Sequence, residues 1–203
     1  FNKMIDPLPL GHSRRQLWQW STLAVVSLAF AGLFAVLLVL SRAPGTSELV
    51  PWPENFFQKG LITHVALSFA VWFLAVFGAL NSAMVPNVRQ SLQTNVGFLL
   101  DRVAIILAAS GTVAILVPAF RDQGEATLNN YIPVIIDPTY YWGLVLLALG
   151  ILILVIRVFK DLSVISDTTI DEHPVLMSAG LLYVATLIGA GMAALQLQDQ
   201  PVN

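Results

Sequence analysis

The chain has 203 residues, 57% of them hydrophobic and only 11% charged, with a net charge of −2 and a mean hydropathy of +0.77. Soluble domains carry about 25% charged residues, so most of this chain avoids water, and the absence of a basic stripe argues against a nucleic-acid partner. There is no cysteine, which removes disulfides, thiolate clusters, cysteine zinc sites and covalently attached c-type haem.

The first residue is Phe1 rather than Met, so a trimmed, processed or partial chain is expected. The apolar run from about Leu17 is too long for a cleavable signal. A hydrocarbon core about 30 Å thick needs about 20 apolar residues as helix. Five stretches meet that requirement: Leu17–Leu40, Gly60–Met84, Val96–Ala119, Tyr140–Val158 and Pro174–Leu197. These runs are continuous and do not alternate, which predicts an all-α, five-span membrane bundle forming one domain rather than a barrel. The segments between them carry turn and cap residues, as in "SRAPGTSELVPWPENF", "MVPNVRQSLQTN" and "RDQGEATLNNYIPVIIDPT". They are short enough to form ordered caps over the bundle. "SDTTIDEHP" puts acids and Pro174 at the start of the fifth span, as helix N-termini prefer.

With five spans, Lys3, Arg14, Arg15, Arg89, Arg102, Arg157 and Lys160 share one side, and Arg42, Lys59 and Arg121 the other. Seven against three predicts a cytoplasmic N-terminus and an outer C-terminus. Trp18, Trp20, Trp52 and Trp142 fall near the expected interfaces, and Trp72 sits mid-span. Asp101 and Arg102 lie about a turn inside the third span and read as a snorkelling pair at the headgroups. The sequence holds no phosphate loop, no HExxH and no Gly-x-Ser-x-Gly, so no catalytic residue is assigned.

One residue breaks the apolar pattern in a way that points to a site. In "KGLITHVALSFAVWFLAVFGAL", His64 sits about one turn in from the outer end of the second span, with no acid or base within several residues. Steps of three and four place Gly60, His64, Ser68, Val71, Ala75, Gly78 and Ser82 on one face. Ile62, Phe69, Phe73, Val76 and Leu80 then take the opposite face. A small-residue face admits something flat or another helix backbone, and an intramembrane histidine faces the protein interior by default. Three roles stay open for His64: axial ligand of a haem iron, hydrogen-bonded packing residue, or contact for a small molecule such as a quinone. His12 reads as a headgroup contact, and His173, before Pro174, as helix-start packing on the opposite membrane side from His64. The fifth span carries Ser178, Gly180, Ala185, Gly189, Gly191 and Ala193, and the third carries "AASG" at Ala108–Gly111. Both read as close helix contacts, within the bundle or with other membrane subunits.

The stretch "HVALSFAVWFLAVFGALNSAMVP" resembles the second transmembrane helix of the catalytic subunit of nitric-oxide reductases and, more loosely, of haem–copper oxidase subunit I. The residues carrying the resemblance are His64, Val71-Trp72, Phe77-Gly78-Ala79 and Pro86. It implies that His64 is an axial ligand of a low-spin b-type haem in the outer part of a bacterial inner membrane. The family's subunit has about twelve spans, and its second low-spin ligand, its His-Pro-Glu-Val motif and its paired histidines are not in this chain. "HPVL" at His173 lacks the Glu. The expected function is that of a membrane subunit of a respiratory-type complex in which His64 binds haem for electron transfer. The alternatives are a haem-free accessory or assembly subunit and an unrelated small-molecule-binding membrane protein.

Overall fold

The computed structural model describes residues 12–46, 52–84, 95–127, 133–163 and 173–198. The chain is mostly helical. Helix α1 runs His12–Arg42; α2 is Phe56–Val65 and continues through a π-helical turn, Ala66–Val71, into α3, Trp72–Met84. Helix α4, Asn95–Leu116, ends in a 3₁₀ turn over Val117–Phe120. A two-stranded antiparallel hairpin follows, β1 Glu125–Thr127 paired with β2 Val134–Ile136. Helices α5, Pro138–Ser163, and α6, His173–Gln198, complete the order.

Four of these stretches are long and apolar enough to cross a membrane: Arg14–Arg42, Phe56–Ala83, Val96–Phe120 and Pro138–Lys160. Each reaches past the span read from hydropathy at one end or both, because a helix continues through the polar interface after the apolar run has stopped, although the second stops at Ala83 rather than Met84. In α6 the apolar stretch found among the described residues is shorter, Met177–Ala190. Asp137 starts α5, its carboxylate accepting from the N–H groups of Thr139 at 2.7 Å and Tyr140 at 3.3 Å, with Pro138 at the first helical position.

The bundle is built of antiparallel pairs. Helix α1 packs along α2–α3: a side chain at Gly60 would meet Leu38 and Phe34, and one at Gly78 would meet the Trp20 ring. Helices α4 and α5 approach backbone to backbone. A Cβ at Gly111 would come within 2.6 Å of the Gly143 carbonyl, and one at Gly150 within 2.6 Å of the Ala104 carbonyl. The "AASG" segment is therefore an internal seam with α5. Helix α6 lies outside α5, with Gly180 under Phe159 and the Tyr183 hydroxyl donating to the Ala148 carbonyl at 2.8 Å.

The hairpin closes the Phe56 end of the bundle, with Ile135 fully buried. Phe34, Phe56 and Phe120 cluster there, with ring centroids 5.5 to 6.5 Å apart, and the Trp52 ring lies 4.9 Å from that of Phe56.

Burial separates the tryptophans near the expected interfaces: Trp20 is 1% exposed, whereas Trp18 and Trp142 are 65% and 66% exposed. One sequence expectation changes. Asp101 does not pair with Arg102. It is buried and faces Arg157 of α5 at 4.0 Å, while Arg102 is exposed and lies over its own helix's Phe98 ring. Spacing along one helix cannot reveal a partner on the next.

Candidate functional site

His64 lies eight residues into α2, about 12 Å along the helix from Phe56. Its Nδ1–H donates to the Ala31 carbonyl of α1 at 2.8 Å. A carbonyl only accepts, so Nδ1 carries a proton, and in that neutral tautomer Nε2 keeps its lone pair. The ring is half-buried, and Nε2 has no hydrogen-bond partner among the described residues.

The helix changes character just beyond it. Over Ala66–Val71 the backbone bonds are of the i→i−5 kind, with Trp72 N–H reaching Leu67 O. Ser68 Oγ donates to the His64 carbonyl at 2.8 Å. A π turn inserts one residue and slips the helix face by about 100°. Ile62 and Phe69 are seven apart and would otherwise share a face. Instead Ile62 is 1% exposed and Phe69 62%. Of the residues set opposite the small stripe, Ile62 makes a bulky contact inside the bundle, while Phe69, Phe73 and Leu80 are exposed.

The small-residue stripe is the docking face for α1. Val71, Ala75 and Ser82 are buried along with Gly60 and Gly78, and Trp20 fills the space that the missing Cβ of Gly78 leaves. The stripe below His64 therefore receives a helix and an indole, not a flat ligand. His64 itself remains at the edge of this contact, held to α1 through one nitrogen.

Sequence reasoning missed Lys59. It is 0% exposed, and its ammonium donates to the carbonyls of Arg121, Asp122 and Gln123 at 2.9, 3.2 and 3.0 Å. These carbonyls belong to the loop that follows the 3₁₀ turn, and the buried ammonium gathers all three. Asp122 in turn accepts from Glu54 N–H at 3.2 Å. Lys59 thus pins the helix that carries His64 to the hairpin cap. A lysine one turn before His64 is the only sequence sign of this role.

Helices α6 and α1 begin at His173 and His12, whose side chains lie outside the described residues, as do Lys3, Arg89 and Pro86. Among the described residues no three His, Cys, Asp or Glu side chains converge. The donor chemistry at His64 fits one axial position of an iron, with Nε2 as the donor and the Ala31 carbonyl fixing ring and tautomer.

No family model matches the chain, and no solved structure matches it. It is similar to an uncharacterized protein of Aquifex aeolicus, 28% identical over 134 residues, covering 65% of this chain and 31% of that protein. It is also similar to an uncharacterized protein of Rickettsia prowazekii, 27% identical over 164 residues, covering 73% of this chain and 32% of that protein. The chain spans about a third of the length of the curated relatives it matches.

Proposed function

We propose that this chain is a bacterial inner-membrane subunit in which Nε2 of His64 serves as an axial ligand of a b-type haem, within a respiratory-type complex whose other parts supply the opposite ligand. The observation that carries this reading is the half-satisfied imidazole. Nδ1 is bonded to Ala31 O, and the lone pair on Nε2 is unengaged on a half-buried ring inside a membrane span. An imidazole nitrogen left without a partner in hydrocarbon is costly. The orienting bond to a backbone carbonyl is the arrangement a metal-ligating histidine uses. The bacterial relatives, about three times as long as the matched segment, leave room in a whole protein for the missing ligand. When bound, the haem would carry an electron. The chain's own part is to hold Nε2 at a fixed depth, through Ala31 and the Lys59 tie.

In this reading α6 is the fifth span, the N-terminus is cytoplasmic and the C-terminus lies outside. The charge imbalance of seven against three supports that orientation.

A second reading has its own support. The small stripe beside His64 is taken up by α1 and leaves no haem slot there, which suits a haem-free accessory subunit with His64 as a packing residue.

A reduced-minus-oxidised visible spectrum of the native complex, wild type against His64→Ala, separates them. A low-spin b-type α band that disappears in the variant, with the complex still assembled, supports the ligand role. A haem-replete preparation with no such band, or one unchanged by the substitution, refutes it.

A further inference from the structure

Helices α1 and α4 run parallel at the His12 end of the bundle and leave a groove of about 380 Å³ between them. Its floor is apolar: Leu23 and Val26 from α1 face Ile105 and Ala109 from α4. Its upper end is polar, with Gln19 and Arg15 on the same stripe of α1, and the exposed Trp18 indole beside them. These α1 residues recur at helical spacing, so they form one face rather than a scatter. Arg14 and Arg15 are both exposed, neither has an ion-pair partner among the described residues, and the first turn of α1 has no acid.

The dimensions identify the occupant. From Arg15 to Val26 the groove follows α1 for about 16 Å, close to half of a hydrocarbon core about 30 Å thick. That is one leaflet. A guanidinium at headgroup depth, an indole at the interface and an apolar channel beneath them are complementary to an anionic phospholipid. A second groove in the molecule provides a contrast. It lies between α3, α5 and α6, measures about 620 Å³ and is lined by Phe73, Phe77, Leu144 and Leu182. Its two hydroxyls, Tyr183 and Thr186, are already bonded to the carbonyls of Ala148 and Leu182. It has hydrocarbon walls and no charged end.

We infer that the α1–α4 groove is a binding site for one anionic phospholipid, its phosphate on Arg15 and an acyl chain over Val26 and Ala109. This does not depend on the haem reading. Native mass spectrometry of the full chain in neutral detergent, titrated with phosphatidylglycerol or phosphatidylcholine of matched chains, tests it. One arginine at the surface is worth roughly a fivefold preference for the anionic lipid. Arg15→Gln should abolish that preference, weakening phosphatidylglycerol binding more than phosphatidylcholine binding. Val26→Trp, on an exposed part of the floor, should weaken both lipids. Circular dichroism and a monodisperse elution profile confirm that both variants are folded. The inference is overturned if Arg15→Gln leaves the preference intact. It is overturned equally if Val26→Trp binds phosphatidylglycerol like the wild type, if inorganic phosphate displaces the lipid, or if the groove proves to be a contact between two copies that Val26→Trp dissociates.

Discussion

The claim that the stripe on α2–α3 belongs to α1 is tested by making the same substitution at two glycines. Gly78→Ala adds a methyl group 2.4, 2.6 and 2.9 Å from three carbons of the Trp20 ring. Comfortable carbon contacts lie near 3.5–4.0 Å, so the indole or the whole of α1 must retreat by about 1 Å. Trp20 is 1% exposed and has no free side to move into. Overpacking of this kind costs about 1–3 kcal/mol. Gly32→Ala is the control: Gly32 is exposed on α1, with nothing within 4 Å of the added carbon. Both changes remove one helical glycine, so the propensity gain of about 1 kcal/mol cancels in the comparison. Unfolding in mixed micelles, followed by circular dichroism, should place Gly78→Ala about 1–3 kcal/mol below Gly32→Ala. Adding Trp20→Phe should recover at least 1 kcal/mol of that difference as a coupling between neighbours. If the two alanine variants agree within about 0.5 kcal/mol, or the Trp20→Phe effect is merely additive, then α1 does not close on this face and the stripe is open to a flat ligand.

Other perturbations address the remaining contacts. Lys59→Met removes an ammonium bonded to three carbonyls; it should cost about 2–4 kcal/mol and speed amide exchange in the hairpin strands more than in α4. Asp101→Asn leaves Arg157 buried beside a neutral group and should cost about 3 kcal/mol, whereas Asp101→Leu with Arg157→Met should recover most of the loss. The absence of cysteine permits single-cysteine topology mapping: Gln123→Cys and Gln200→Cys should react with an impermeant maleimide on intact cells, and Lys3→Cys should not.

The long elements were legible because hydrophobicity is a property of each run alone. Leu17–Leu40 and Val96–Ala119 are apolar whatever packs against them, and their helices appear where composition requires. What the sequence hid are relations between runs. Asp101 is followed at once by Arg102, which makes a local pair the natural reading, yet its charge partner is Arg157 on another helix. Trp20 has the position of an interface tryptophan, and only the glycine on a different helix explains its burial. Ile62 and Phe69, seven apart, differ in burial because a π turn lies between them, and a π turn leaves no mark on apolar composition. Lys59, whose ammonium bonds three carbonyls, looked like one more outer-side cation, since its acceptors are backbone atoms and backbone atoms have no sequence signature.

The energetics of His64 decide between a ligand and a packing residue without any cofactor being added. As packing, the ring contributes one hydrogen bond to Ala31 O, worth about 0.5–1.5 kcal/mol. Against this stands Nε2, without a partner among the described residues on a half-buried ring, which costs about 1–3 kcal/mol where it meets hydrocarbon rather than water. The two terms nearly cancel, so in the purified chain alone His64→Leu should change stability by less than about 1 kcal/mol, in either direction. If Nε2 has a partner in the native complex, the sum changes sign there, and the same substitution should weaken the complex well beyond its effect on the chain. A loss of more than about 2 kcal/mol in the isolated chain, with no larger effect in the complex, would mean that His64 is held for the α1 contact itself, and the search for an iron ligand should then move elsewhere.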